Sequence, residues 1–341
     1  MKIKTGVVGL GHISRAHVEN LAEFDDVELV AFCDIHEKRL KVSAEQYGVK
    51  NTYTQLDSML DNHPFDCVFI LTPEWLHHKQ SIACLKRGIH VLCEKPPSHY
   101  VEEAKEMAEE AKKADKILMI GFNRCFWLRK VKEFFNEKPP QICVAEFIRP
   151  VAAYRSFIRG SIHLVAPLIW ICGEPKDVKA CATYTELEKD EQIVASIQFS
   201  SGALGTFVSG YGTGASAELF HAYGHGIAAT AEGGKVRVRS SGKEEIFEPG
   251  NSMRLEDRHF IDCVKGEATP IITAEDGVKT MELAHRILEA AGIPISPRTH
   301  TGKGWIRWCP YCGVEIVPHA EKCQSCGAEL GGWSIPIEDM V

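Results

Sequence analysis

Two glycines near the start of the chain stand where an apolar segment meets a helical one. Gly9 and Gly11 follow the apolar run that begins at Ile3, and Ser14 stands at the start of the helical pattern. Glycine permits a tight turn and the close approach of a pyrophosphate, and serine is small enough for the helix to pack on the strand. The first N–H groups of a helix favour an anion. The pattern therefore predicts a strand, a phosphate-binding turn and a helix.

A carboxylate follows the second apolar run, twenty residues after Ser14. Asp34 ends the segment that begins at Val27. A carboxylate in this position accepts hydrogen bonds from ribose hydroxyls and repels a 2′-phosphate, so we predict that the chain binds NAD in preference to NADP. The alternative is that Lys38 or Arg39 grips the 2′-phosphate of NADP.

Composition excludes several classes of protein. The chain has 341 residues, 45% hydrophobic and 25% charged, and a formal net charge of −7. A negative net charge does not favour binding to nucleic acid or to an anionic membrane. The sequence lacks an apolar run of the ~18 residues that span a bilayer, and its start lacks the apolar core of a signal peptide, so we expect a cytoplasmic protein. Nine of its 13 cysteines lie in apolar contexts and are predicted to be reduced, buried thiols.

The hydrophobic pattern predicts two domains and a small module. In residues 1–122 strands alternate with helices, which is typical of an α/β Rossmann domain with a parallel sheet. In residues 123–293 many short strands and a few helices predict an α+β domain with a large, mostly antiparallel open sheet. Residues 294–304 have the composition of a linker, and 305–341 form a separate module with a tail.

The motifs of the first two domains resemble those of one enzyme family. They are Val8–Ser14, Thr72-Pro73 with His77, Gly88–Pro96, Gly121–Arg124, His163 with Gly173-Glu174-Pro175, and Ala274–Lys279. In order and spacing they resemble the glucose–fructose oxidoreductase / inositol dehydrogenase (GFO/IDH/MocA) family over about residues 3–292. The resemblance implies hydride transfer between a nicotinamide and a hydroxyl or carbonyl carbon of a sugar, cyclitol or sugar acid. It also implies cofactor contacts from Gly9, Gly11, His12, Ile13, Asp34, Thr72, Pro73, His77, Glu94 and Lys95.

Lys95 and His163 are the catalytic candidates. Lys95 follows an apolar strand and precedes Pro96, so we expect its amine at the carboxyl edge of the sheet. Such an amine accepts an alcohol proton once burial or a neighbouring cation lowers its pKa. The resemblance implies that His163 points at the substrate oxygen. The family has an aspartate four residues before this histidine, whereas this chain has Arg159.

The arginines suggest two further hypotheses. If Arg159 and His163 share one face of a helix, Arg159 and Arg124 are candidates to bind an anionic substrate such as a sugar acid. Alternatively, these arginines pair with Glu94, Glu146 or solvent. Arginine cannot replace an aspartate in proton transfer. A second hypothesis is therefore that the protein is a catalytically impaired dinucleotide-binding sensor or scaffold that contacts a protein partner through its C-terminal module. We expect a homo-oligomer, a dimer or tetramer, formed through the open sheet.

The C-terminal module carries two C-x-x-C pairs. Cys309 and Cys312 are followed ten residues later by Cys323 and Cys326, and four thiolates at this spacing can hold one structural Zn²⁺ in a zinc ribbon. The alternatives are a redox dithiol pair and iron–sulfur ligation. Few basic residues surround the pairs, so the predicted partner of the ribbon is a protein, and a nucleic acid is the less favoured alternative.

Overall fold

The computed structural model describes residues 2–150, 157–184, 191–293 and 295 of the chain. The described residues fall into two compact units, one ending at Pro73 and the other spanning Glu74–Ile295. Within these ranges, none of the helices combines the length and apolar character needed to cross a membrane.

The first unit is built on parallel strands. These are β1 (Ile3–Val8), β2 (Val27–Cys33), β3 (Asn51–Tyr53) and β4 (Cys67–Ile70), in the order β3-β2-β1-β4. The helices are α1 (His12–Ala22), α2 (Glu37–Tyr47) and α3 (Leu56–Asn62). Continuous apolar runs are typical of parallel strands with both faces covered. Accordingly, Val7, Phe32 and Phe69 have no exposed surface.

Strand β1 and helix α1 confirm the predicted strand–turn–helix. The strand ends at Val8, because Gly9 adopts a positive φ of 89°. The helix starts at His12, two residues before the predicted position. Helices α2 and α3 were not predicted: Leu40 is the only buried residue of α2, and α3 has only 7 residues.

The second unit begins with alternating helices and strands. They are α4 (Glu74–Lys86), β5 (His90–Glu94), α5 (Val101–Ala114), β6 (Leu118–Gly121), α6 (Asn123–Trp127) and α7 (Arg129–Phe134). Strands β5 and β6 pair in parallel, and both are almost wholly buried. The apolar positions of α5 recur with helical spacing, between an acidic first turn and a basic last turn.

An eight-stranded sheet forms most of the second unit. Its strands are β7 (Ile142–Arg149), β8 (Pro175–Tyr184), β9 (Glu191–Phe199), β10 (Leu204–Tyr211), β11 (Ala217–Gly224), β12 (Ile227–Glu232), β13 (Lys235–Ser240) and β14 (Lys243–Phe247). Their order is β14-β13-β12-β11-β7-β10-β9-β8. Neighbours are antiparallel except β7 and β10, which pair in parallel. The sheet is therefore mixed, with the predicted antiparallel character at all but one pairing.

Three further helices belong to this unit. They are α8 (Ile162–Cys172), α9 (Ser252–Val264) and α10 (Ala274–Ala290). Helix α8 packs on β7 and β10 and is buried at every position except Trp170. One face of the sheet is therefore covered, while Ile142, Val194 and Leu204 on the opposite face are about half exposed.

The cysteine prediction needs one correction. Eight of the nine cysteines in the described ranges are buried free thiols, but Cys181 is exposed. It lies on β8, the last strand of the sheet order, and its side chain belongs to the open side. An apolar sequence neighbourhood does not reveal which face of a strand a residue occupies.

Candidate active site

The glycine-rich turn of the first unit depends on Gly9. A Cβ at this residue would lie 2.8 Å from the backbone of Leu71 and of Thr72, so a side chain cannot be accommodated there. Gly11 has ordinary backbone angles, and a Cβ there would meet no atom within 4 Å. Ser14 is buried and donates a hydrogen bond of 2.6 Å to the carbonyl of Gly11. The turn is thus tightly packed at Gly9 and open at Gly11, as the approach of a phosphate requires.

Asp34 holds this turn from the end of β2. Its Oδ2 accepts from the Leu10 amide at 2.7 Å and from Arg39 at 3.2 Å, and its Oδ1 accepts from the His36 amide at 2.8 Å. The carboxylate is therefore a structural anchor as well as the predicted ribose ligand. A carboxylate has about four acceptor positions, so one remains for a hydroxyl. The pairing with Arg39 brings a cation to the same place.

Lys95 follows β5 directly and is held from both sides. Its amide donates to Glu94 Oε2 at 2.9 Å, and its Nζ donates to the carbonyl oxygen of Arg159 at 2.9 Å. The Lys95–Pro96 peptide is cis. The buried His77 donates from Nδ1 to the Pro96 carbonyl at 2.8 Å. His77 and Glu94, predicted as cofactor ligands, thus support the segment that carries Lys95.

The surroundings of Lys95 favour the neutral amine. Burial lowers its pKa, and the nearby charges of Arg124 and Arg159 act in the same direction. The carboxylates of Glu94 and Glu74 oppose the change without reversing it. A lowered pKa leaves more of the amine unprotonated near neutral pH, which a proton acceptor requires.

His163 lies in the first turn of α8 and is 8% exposed. Its ring stacks on Phe147 of β7, with the centroids 6.0 Å apart and the planes inclined by 24°. Burial lowers its pKa well below the usual value, and the charges of Lys95, Arg124 and Arg149 lower it further. The imidazole is therefore neutral near pH 7, and the charge of Lys95 acts on it directly.

The arginines near the site form ion pairs with carboxylates, but these are not the predicted partners Glu94 and Glu146. Arg124 and Arg149 both bind Glu218, and the Arg149 hydrogen bond measures 2.6 Å. Burial opposes ionisation of Glu218, but these two guanidinium groups hold its pKa below the usual range. Local patterns in the sequence did not indicate Glu218. It lies on β11, far along the chain from both arginines, and the pairing of β11 with β7 brings it to them.

The prediction that Arg159 and His163 share a helix face is wrong. Arg159 lies in the turn before α8, which begins only at Ile162. Its side chain is 51% exposed and forms an ion pair with Glu74, with Nε 2.7 Å from Oε1. It also lies 6.0 Å from the ring of Trp75. The backbone of Arg159 rather than its guanidinium group binds Lys95.

The zinc prediction concerns residues outside the described ranges. Cys309, Cys312, Cys323 and Cys326 all lie beyond residue 295, so their ligand role stays a prediction. Among the residues that the structure describes, His, Cys, Asp and Glu do not cluster in a group of three or more able to hold a metal ion.

Comparison with known families identifies the chain. Residues 3–122 match the model of the GFO/IDH/MocA oxidoreductase family, NAD-binding Rossmann fold. Residues 155–293 match the C-terminal alpha/beta domain of the same family. The chain belongs to this family. The glycine-rich turn and Asp34 fit the NAD-binding fold that the family model describes.

Relatives span most of the chain. Myo-inositol 2-dehydrogenase of Thermotoga maritima is 30% identical over 319 residues, which cover 83% of this chain and 94% of the relative. The NAD⁺-dependent scyllo-inositol 2-dehydrogenase of Bacillus subtilis is 24% identical and covers 88% and 99%. The WlbA dehydrogenase of Chromobacterium violaceum, solved with NADH and UDP-GlcNAcA, is 25% identical with a TM-score of 0.74, covering 87% and 97%.

Proposed function

We propose that this protein is an NAD-dependent dehydrogenase or reductase acting on a CH–OH group of a sugar, cyclitol or sugar-acid-like substrate. The supporting observation is the pair formed by Lys95 and His163. Both side chains are held by fixed partners, and the pKa of each is lowered by burial and by the same cation, Arg124. Membership of an oxidoreductase family and relatives that act on inositols support the substrate class.

Lys95 handles the proton in this proposal. NAD, when bound, supplies the hydride acceptor. As the alcohol is oxidised, its O–H bond breaks and the proton passes to the neutral Lys95 amine; in carbonyl reduction, the protonated amine returns it. His163, as a neutral imidazole, hydrogen-bonds the same substrate oxygen. The backbone carbonyl of Arg159 orients Lys95. The side chain of residue 159 does not supply the carboxylate that the family has four residues before the histidine.

The cofactor contacts are proposed from the sequence. We assign the pyrophosphate to the turn of Gly9, Gly11, His12 and Ile13 and the ribose to Asp34. Thr72 and Pro73 follow β4, at the carboxyl edge of the parallel strands, where such sheets bind ligands. We propose a dinucleotide-binding domain of residues 1–122, which the family match over residues 3–122 supports, although the compact units of the structure divide after Pro73.

The substrate is neutral in our preferred version. Arg124 already shares Glu218 with Arg149, and Arg159 already pairs with Glu74, so each candidate anion ligand has a carboxylate partner. A sugar acid would have to displace one of these carboxylates. Comparing turnover of inositols and aldoses with that of the matching uronic acids, at equal concentration, tests this preference.

The impaired sensor remains a second candidate, because Arg159 replaces the family aspartate. Turnover separates the two functions. Purified protein is mixed with NAD⁺ and a broad panel of polyols, sugars and sugar acids, and NADH formation is followed by absorbance. Turnover with one panel member supports the enzyme. Tight NADH binding by calorimetry, without turnover in either direction, would support the sensor.

Assembly and the C-terminal module complete the proposal. We propose a homo-oligomer, a dimer or tetramer, formed through the sheet face that exposes Ile142, Val194, Leu204 and Tyr223. Light scattering measures its mass.

We further propose a cytoplasmic protein whose residues 305–341 hold one structural Zn²⁺ through Cys309, Cys312, Cys323 and Cys326 and contact a protein partner. Elemental analysis of the purified protein measures its zinc content.

A further inference from the structure

The end of strand β7 presents an aromatic ring and a cation to helix α8. Phe147 and Arg149 are two residues apart and therefore share one face of the sheet. Phe147 is fully buried and stacks on His163, and the Arg149 guanidinium carbon lies 3.9 Å from the centre of the same ring. One phenyl ring thus contacts both a permanent cation and the imidazole.

Arg149 is fixed in this position by several partners. Glu218 lies directly opposite Phe147 on the neighbouring strand β11, so its carboxylate occupies the same face. It accepts from Arg149 Nη2 at 2.6 Å, while Nη1 donates to the carbonyls of Ile148 at 3.0 Å and Ala217 at 3.4 Å. The Arg149 side chain is only 17% exposed. Its charge is therefore held close to the Phe147 ring.

The charges that surround His163 are predominantly positive. Lys95 follows β5, Arg124 lies on α6 and Arg149 ends β7, and each opposes a proton on the imidazole. Glu218 is the acid that both arginines bind, so the group of two arginines and one carboxylate retains one positive charge. Protonation of His163 would place a second cation against the Phe147 ring in a buried site.

We propose that Arg149, fixed by Glu218 and the Phe147 ring, is a positioning residue that helps to keep the buried His163 a neutral imidazole. This inference rests on the proposed function in one respect, namely that His163 binds the substrate oxygen. His163 then acts as a hydrogen-bond partner that does not change charge, and proton transfer is confined to Lys95. The protonation state itself is independent of turnover and can be measured without a substrate.

The test is an NMR titration of ¹⁵N-histidine-labelled full-length protein, with the His163 signal assigned from a His163→Gln variant. Three variants are compared with the native protein. Arg149→Gln removes the charge and Arg149→Lys keeps it. Arg239→Gln removes the charge of an exposed arginine on β13 that pairs with Glu244 of β14. We expect the native His163 to stay neutral at pH values where exposed histidines are protonated. Arg149→Gln should move its titration midpoint up by about one pH unit.

Arg149→Lys and Arg239→Gln should leave the midpoint near the native value. An ordinary midpoint in the native protein would overturn the proposal. So would an Arg149→Gln midpoint equal to the native one, or an equal rise in Arg149→Lys. If Arg149→Gln does not fold, Arg149→Met, whose stem still covers Phe147, replaces it. Loss of turnover in every protein together with the expected midpoints would refute the proposed function and leave this inference standing.

Discussion

The ion pair between Arg159 and Glu74 should tune the proton acceptor in two opposite directions. Arg159→Ala removes a cation that lowers the pKa of Lys95 and leaves Glu74, which raises it, without its partner. Glu74→Gln does the reverse. The Lys95 anchor survives in both variants, because it is the backbone carbonyl of residue 159. We therefore expect the pKa of Lys95 to rise in Arg159→Ala and to fall further in Glu74→Gln.

The size of the change follows from the geometry. Lys95 Nζ lies 2.9 Å from the Arg159 carbonyl oxygen. Because an arginine carries its charge several ångströms from its own backbone, we take a separation of roughly 7 Å between the two charges. At an effective dielectric constant of about 40 for a half-exposed charge, a unit charge at that distance moves a pKa by about 0.9 of a pH unit. Salt reduces this to about half a unit.

The assay is the pH dependence of kcat/KM. In alcohol oxidation Lys95 must be neutral, so activity rises with pH through its lowered pKa; in carbonyl reduction it must be protonated, so activity falls over the same range. The acid limb of oxidation should move up in Arg159→Ala, move down in Glu74→Gln and return close to the native position in the double variant. Lys235→Ala, which breaks the exposed pair with Glu248, is the matched control.

A different result would refute this reasoning. If the Arg159→Ala limb stays in place or moves down, then the guanidinium does not act on Lys95. If both single variants move the limb in the same direction, the pair acts through structure instead of charge. NMR titration of ¹³C-labelled lysine yields the same pKa without a substrate.

Three other outcomes are expected. Gly9→Ala should lower the melting temperature by several degrees and abolish NAD binding, because its Cβ would meet backbone atoms at 2.8 Å; Gly11→Ala should keep the melting temperature yet weaken NAD binding in calorimetry, and equal melting losses would contradict the contrast. NAD should bind more tightly than NADP, as Asp34 predicts, and Arg39→Ala should widen the difference; equal affinities in the native protein would show that Arg39 governs the pocket. Removal of residues 305–341 should leave NAD affinity within a few-fold and remove the bound zinc; aggregation of the truncated protein would show that the module packs on the core.

Local sequence patterns predicted the structural features that depend on residues close together in the chain. The turn at Gly9, the strand that ends before Lys95 and the helix that carries His163 are all visible as apolar runs bounded by glycine or proline. These features depend on backbone preferences and burial that a few consecutive residues determine.

Long-range partners were not predictable in this way. Glu218 meets Arg124 and Arg149 only because β11 pairs with β7, and no spacing in the sequence encodes that pairing. The hypothesis that Arg159 shares a helix face with His163 failed because α8 begins at Ile162, after Arg159. Helices with one buried residue, such as α2, were missed because their periodicity is weak.

The central position of β7 has a consequence for how the chain folds. Strands β8, β9 and β10 pair with their sequence neighbours, as do β11 to β14, so each group can form through short connections. Only β7 joins the two groups, and its parallel pairing of Ile142 with Leu204 requires closure of the long stretch that includes α8. Distant pairings of this kind slow folding. Until β7 is inserted, β10 and β11 each present an unpaired edge, and unpaired edges recruit strands from other molecules. Dilute refolding conditions and a slow final phase are therefore expected for the second unit.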